Sequence, residues 1–97
     1  MSPNKPGHRF RARMDIEEPH RFLDLPGHVS RALEAEPLGE HKVRVIIGGV
    51  EFAATLKPLG DGSHRLFLPP HVWKDLHAEH GDLLVGRIEN PDDRGKR

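Results

Sequence analysis

The sequence predicts a mainly β fold: a small six-stranded β-barrel with two short helices, built as a strand–strand–helix–strand (ββαβ) unit repeated about a pseudo-two-fold axis. The first observation is an internal repeat, in which "LPGHVSRAL" at 25–33 resembles "LPPHVWKDL" at 68–76. The second is that strand-like runs precede and follow both segments. One ββαβ half cannot bury its apolar strand faces alone, whereas two halves can close into a barrel with few free edges.

Length and composition indicate one domain. The 97 residues fit a single domain, which we place at 8–89, between an N-terminal arm at 1–7 and a charged C-terminal tail at 90–97. There is no cysteine, which excludes disulfides and thiolate zinc sites, and no apolar run near the roughly 20 residues of a membrane helix. Basic and acidic residues both number 15, so the net charge gives no general attraction to nucleic acid or membrane. We expect a cytoplasmic protein.

The first half begins with "RFRARMD", where apolar and basic residues alternate as in a half-buried strand. Its apolar face would carry Phe10, Ala12 and Met14, and its polar face Arg9, Arg11 and Arg13. After a turn at "IEEP", the segment "HRFLDLP" at 20–26 predicts a second strand that proline ends. Helical spacing of apolar residues then predicts a short helix over 27–36, with a thin stripe formed by Val29, Ala32, Leu33 and Glu36.

A hairpin is the clearest local feature of the chain. In "HKVRVIIGGVEFAATLK", two strand-like runs flank Gly48 and Gly49, and glycine tolerates the positive φ that a two-residue hairpin turn requires. A loop at these glycines fixes the register of the pairs. The pairs predicted for the apolar face are Ile47 with Val50, Val45 with Phe52, and Val43 with Ala54.

The second half repeats the order of the first. A turn at Asp61-Gly62 leads to the strand "HRLFLP", a helix over 70–79 and a last strand, "GDLLVGRIE". We expect this helix to turn Val72, Trp73, Leu76 and His77 inward.

The two halves align at an offset of 43 positions, with a slip of one residue after the helices. The slip makes Gly39-Glu40 correspond to Gly81-Asp82. It predicts a tight glycine turn in each half, with the acid accepting backbone N–H bonds.

The ordered motifs resemble a known family. A glycine-acid turn in a duplicated ββαβ unit is similar to the "GD box" of cradle-loop barrels, which include double-psi barrels and AbrB-type DNA-binding domains. More specifically, the set "RFRARM", "RFLDLP", "VRVIIGGVEFAATLKPLGDGSHRLFLP", "VW" and "GDLLVGRIE" resembles bacterial domain-of-unknown-function family 1905. This resemblance covers 9–89 and implies a small β-barrel, found with YdeI/OmpD-associated domains, but no established reaction. Some relatives carry a "bacteriocin protection" label, which suggests a protective role.

Three residues are candidates for ligand binding. His28 and His71 stand at the starts of the two helices, where protonated imidazoles could bind an anion; duplication and local packing explain the same pairing. Trp73 could form the wall of a ligand pocket, or plug the barrel as part of the core. If a ligand binds, we expect it at the Trp73 end of the barrel, where the two halves differ most.

Metal and cofactor sites are not expected. His77 and His80 are three positions apart, but a metal normally needs three or four ligands and no third is evident. No motif indicates a cofactor.

Basic residues offer an alternative site. Arg9, Arg11, Arg13 and Arg44 could form a stripe that contacts phosphates. The competing interpretation is that these arginines cover the barrel exterior in pairs with acids such as Asp15, Glu17, Glu18 and Glu51.

The function that we predict is non-enzymatic binding of a small molecule or peptide, in a protein that does not contact the membrane. The first alternative is an AbrB-like DNA-binding protein that acts as a homodimer through the β-strand of Arg9, Arg11 and Arg13. The second is a small enzyme that uses a helix-start histidine as base, ranked last because no partner nucleophile is evident.

Overall fold

The computed structural model describes residues 7–91, and six strands and two helices follow one another in the predicted order. The arm and tail predictions therefore fall largely on residues outside the described range. Neither helix within that range is long and apolar enough to cross a membrane. The elements are β1 (His8–Glu17), β2 (His20–Asp24), α1 (Gly27–Ala32), β3 (His41–Ile47), β4 (Val50–Pro58), β5 (His64–Phe67), α2 (Pro70–Leu76) and β6 (Leu83–Glu89).

The strands form a closed antiparallel barrel in the order β1, β2, β5, β4, β3, β6 and back to β1. This confirms the predicted fold class. Closure leaves each strand paired on both sides, so the apolar strand faces turn inward into one core. The fully buried members of that core with the largest side chains include Met14, Leu23, Leu33, Leu56, Leu66 and Ile88.

The predicted alternation of β1 is confirmed. Its burial alternates between buried and exposed positions from Arg9 to Met14, with the three apolar residues inside and the three arginines outside. The hairpin register is confirmed as well, pair by pair, from Ile47 opposite Val50 to Val43 opposite Ala54. Both loop glycines have positive φ, 56° at Gly48 and 84° at Gly49.

Both helices are shorter than the apolar spacing predicted. Helix α1 ends at Ala32 and not at residue 36, and α2 ends at Leu76 and not at residue 79. In each case a residue just after the helix adopts a left-handed conformation, Glu34 with φ of 60° and His77 with φ of 53°. This conformation ends a helix and redirects the chain. The prediction that His77 turns inward is wrong, because its side chain is exposed after this reversal.

The strand order fits the pseudo-two-fold arrangement. Exchanging β1 with β4, β2 with β5 and β3 with β6 leaves every strand with the same pair of neighbours. Leu23 lies directly opposite Leu66, and Val45 lies opposite Ile88; each pair is separated by the offset of 43 positions. Descent of the halves from one duplicated unit stays a prediction.

The one-residue slip in the alignment of the halves is wrong. It would match Val43, which is 1% exposed, with Val85, which is 47% exposed, so the faces of the strands would be out of phase. The expected glycine turn occurs once: Gly81 has φ of 90°, and Asp82 accepts a hydrogen bond from the backbone N–H of Glu79 at 2.8 Å. In the first half Gly39 does not have a positive φ. Glu40 there binds the ammonium group of Lys57 at 2.7 Å.

The turn between β4 and β5 carries a titrating carboxylate. Asp61 accepts hydrogen bonds from the hydroxyl and the backbone N–H of Ser63. These bonds, that of the hydroxyl first, hold the pKa of Asp61 below the ordinary value of 3.8. A pKa that is lower in the folded state adds stability above the unfolded pKa, and this stability is lost as the pH falls through the folded pKa.

Replacing Ser63 with alanine tests this turn. We expect Ser63→Ala to raise the pKa of Asp61 toward 3.8, because the hydroxyl makes the largest contribution to its lowering. The measurement is an NMR titration of the Asp61 carboxyl carbon in both proteins. Identical titration midpoints would contradict the assignment.

Candidate functional site: a basic groove between β1 and α1

An open groove lies between β1 and α1. Its volume is about 520 Å³. The lining residues come from β1, from the segment that leads into α1, from α1 itself and from β6: Arg9, Phe10, Arg11, Pro26, His28 and Val85. The groove therefore joins one histidine and two arginines that the sequence indicated separately.

Local structure explains why these side chains meet. Arg9 and Arg11 are alternate residues of β1, so both project from the outer face of the barrel. Pro26 follows β2 with extended dihedrals (φ −60°, ψ 148°) and is the N-cap residue of α1. Because Val29 is buried in the core, α1 is held against the barrel and His28 is left exposed beside β1.

Four arginines lie on the outer face of β1 and β6. Arg9, Arg11 and Arg13 are exposed along β1, and Arg87 of β6 lies directly opposite Arg9. Like charges that face each other across two strands are destabilising, unless a counter-charge lies between them. Within residues 7–91 none of these four arginines forms a salt bridge.

The interpretation that the β1 arginines pair with acids of the barrel exterior is therefore wrong for the described residues. Two of the expected partners are engaged elsewhere: Glu18 lies 3.7 Å from Arg21, and Asp15 lies 3.4 Å from His80. For Arg44 the interpretation is right, because this residue binds Glu51 at 2.8 Å.

Aliphatic side chains of β6 lie beside two of the β1 arginines. Val85 lies opposite Arg11 and Leu83 lies opposite Arg13, and both aliphatic residues are 47% exposed. The face thus offers positive charge and apolar surface side by side. Such a mixture suits a ligand that carries an anionic group on a hydrocarbon frame.

Comparison with family models shows to which protein family the chain belongs. The family described as "Domain of unknown function (DUF1905)" matches residues 10–86, which include all six strands in whole or in part. The chain belongs to the DUF1905 family. Comparisons with curated proteins and with solved structures find no significant match. The family carries no established activity, so the chemistry of this DUF1905 domain has to be argued from its own residues.

The two helix-start histidines of the DUF1905 domain are not brought together. Strands β2 and β5 are antiparallel, and each helix follows the end of one of them, so α1 and α2 begin at opposite ends of that pair. His28 lines the groove, whereas His71 is exposed on α2 and is not among the groove residues.

Trp73 lies at the other helix. It is half-buried against the core, with the guanidinium of Arg21 at 3.9 Å from the ring centroid and the ammonium of Lys74 at 5.6 Å. The stacked guanidinium covers one face of the indole, which a flat ligand would otherwise use. Of the predicted binding residues, Arg9, Arg11 and His28 line the groove. The others lie elsewhere: Arg13, Arg44, His71 and Trp73.

His64 is a buried polar residue that the sequence analysis missed. Its ring is fully buried, with Nδ1 at 3.0 Å from the Ser30 hydroxyl and Nε2 at 3.0 and 3.1 Å from the carbonyls of Glu36 and Gly39. Carbonyls only accept, so Nε2 carries the proton and the Ser30 hydroxyl donates to Nδ1 in the neutral ring. The signal was present, since His64, Leu66 and Leu68 alternate on one strand face.

Metal ligands do not gather in the described part of the domain. Across 7–91 no group of three or more histidine or carboxylate side chains is placed to hold a metal ion. His80 faces Asp15, while His77 is exposed beyond the end of α2.

Proposed function

We propose that this DUF1905 domain is a non-enzymatic binding module that holds an anionic small molecule, or the acidic end of a peptide, in the groove between β1 and α1. The observation that carries the proposal is the convergence of Arg9, Arg11 and His28 on one groove without a salt-bridge partner for the arginines in 7–91. Guanidinium groups without an acidic partner among the described residues can bind a carboxylate or phosphate in bidentate geometry.

Binding is favoured over catalysis by the composition of the lining. Among the described residues, the groove lining consists of arginine, phenylalanine, proline, histidine and valine, so none of them places a hydroxyl or carboxylate side chain beside His28. A histidine base acts on a substrate or on an adjacent nucleophile, and the lining supplies no such nucleophile.

Adipate is a suitable probe for the groove. Side chains two positions apart on a strand lie roughly 7 Å apart. The carboxylates of this six-carbon dicarboxylate span a similar distance, so one molecule can contact both arginines while its methylenes cover Val85. Adipamide has nearly the same shape without charge.

Thermal unfolding in the presence of adipate tests the proposal. We expect millimolar adipate to raise the melting temperature, because a ligand that binds only the folded state stabilises it, and we expect adipamide to have no such effect. Arg11→Gln should abolish the shift, while Lys42→Gln, which removes one exposed positive charge outside the groove, should keep it. Equal shifts with adipate and adipamide, or an unchanged shift in Arg11→Gln, would contradict the proposal.

A second candidate is the DNA-binding homodimer, supported by the same arginines of β1, which have no salt bridge within 7–91. Its fourth predicted residue, Arg44, lies on β3, is separated from β1 by β6 and is neutralised by Glu51. A salt titration of duplex binding distinguishes this candidate, because phosphate contacts weaken steeply with salt. The cytoplasmic location and a protective role are further proposals of this kind.

A further inference from the structure

We propose that the outer face of β1 and β6 docks an extended acidic segment of a partner protein, which lies along Arg9, Arg11 and Arg13. The inference rests on the proposed function, because the groove at Arg9 and Arg11 would receive the first acidic groups of that segment. It goes further by naming the class of partner and a third contact, Arg13, which lies outside the groove lining.

The spacing of the charges matches an extended peptide. The three arginines are alternate residues of one strand, so neighbouring side chains lie roughly 7 Å apart on the same face. An extended peptide also projects every second side chain to one side with this period. Acidic residues at alternate positions would therefore meet successive arginines. The anionic groups would also relieve the opposition of Arg9 and Arg87.

Apolar surface beside Arg11 and Arg13 favours a peptide over a nucleic acid. Leu83 and Val85 lie next to Arg13 and Arg11 and are about half exposed, so the methylene groups of the partner's acidic side chains can cover this apolar surface. Binding of single-stranded nucleic acid relies on exposed aromatic rings for base stacking. The aromatic residue at this groove, Phe10, is 3% exposed.

The charge pattern of β1 also limits the length of the partner. Beyond Arg13 the same outer face continues with Asp15 and Glu17, both exposed. A polyanion that ran on past the third arginine would meet these carboxylates and be repelled. The face therefore fits a segment with about three alternating acidic residues.

Two peptides of identical composition provide the test. One alternates glutamate and leucine (Glu-Leu-Glu-Leu-Glu) and the other groups them (Glu-Glu-Glu-Leu-Leu), each acetylated, amidated and labelled with fluorescein. Fluorescence anisotropy at 0.15 M salt should show that the alternating peptide binds about tenfold more tightly. Arg13→Gln should lower affinity for this peptide more than affinity for adipate, and Arg13→Lys should restore most of it. Lys42→Gln is the matched charge control.

Each outcome decides between the claims. If adipate binds but the two peptides bind equally, the docking inference is overturned and the proposed function stands. If neither adipate nor peptide binds, both are overturned. If an eight-nucleotide oligothymidylate binds more tightly than the alternating peptide and depends on Arg13, the occupant is a nucleic acid and the peptide inference is overturned. Arg13 donates to the Gly81 carbonyl at 3.1 Å, so unfolding curves of the variants verify that this contact is not the cause.

Discussion

Gly86→Ala is expected to lower the free energy of unfolding by about 3 kcal/mol. This value is the upper end of the usual destabilisation when an extra carbon is forced into a well-packed core. Gly86 lies on β6 opposite Phe10 on one side and Ile47 on the other. A Cβ atom there would overlap the carbonyl oxygen of Ile46 and would stand 2.8 Å from the Ile47 side chain and 3.2 Å from the Phe10 ring. Two of these contacts involve backbone or a buried ring, which cannot move aside without loss of packing.

Urea unfolding followed by Trp73 fluorescence measures this effect. Gly27→Ala is the matched control, because Gly27 has no positive φ and a Cβ there meets only the end of the Arg31 side chain at 3.4 Å. We expect the control to change the midpoint little and Gly86→Ala to lower it strongly. Equal midpoints for the two variants would show that the barrel wall at Gly86 is more adaptable than its geometry indicates.

His64→Leu is expected to lower the free energy of unfolding by about 3 kcal/mol, the second large effect. The reason is that buried polar groups left without a partner cost about 1–3 kcal/mol each. The imidazole connects β5 to Ser30 on α1 and to the carbonyls of Glu36 and Gly39 in the following loop. Leucine has a similar volume, so the loss reports hydrogen bonding and not a cavity. Since α1 carries His28, loosening this connection also weakens one wall of the groove.

The Ser30→Ala variant distinguishes the contribution of the hydrogen bond at Nδ1 from that of the bonds at Nε2. It removes the bond to Nδ1 but leaves both carbonyls with their donor, so we expect a loss of about 1 kcal/mol. Urea unfolding of both variants at neutral pH gives the comparison. If the His64→Leu variant is no less stable than the Ser30→Ala variant, this result contradicts the view that His64 anchors the loop of residues 36–39.

The fold was largely predictable because the decisive interactions are local. The register of the β3–β4 hairpin follows from Gly48 and Gly49 together with alternation, and both are visible in the sequence. The helix ends were not, because Glu34 and His77 adopt positive φ without being glycine. The predicted one-residue slip in the alignment of the halves was wrong because Val43 faces the core and Val85 faces solvent, although both residues are valine.

The candidate site was predictable only in its parts. The exposed row of β1 arginines followed from alternation, whereas the contact of α1 with β1 depends on how Val29 packs in the closed barrel. The sequence therefore could not show that His28, and not His71 or Trp73, would join the arginines. The sequence pattern likewise could not show that these arginines have no salt bridge within the described residues 7–91, because that depends on the folded structure.

The groove as an anion site is tested most directly by NMR. Adipate is titrated into the ¹⁵N-labelled protein while backbone amides, arginine Nε–H groups and the His28 ring are observed. We expect saturable shifts at Arg9, Arg11, His28 and Val85, which disappear in Arg11→Gln and are absent with adipamide. Saturable shifts confined to Trp73 and Arg21, or no saturable shift at any residue, would contradict it.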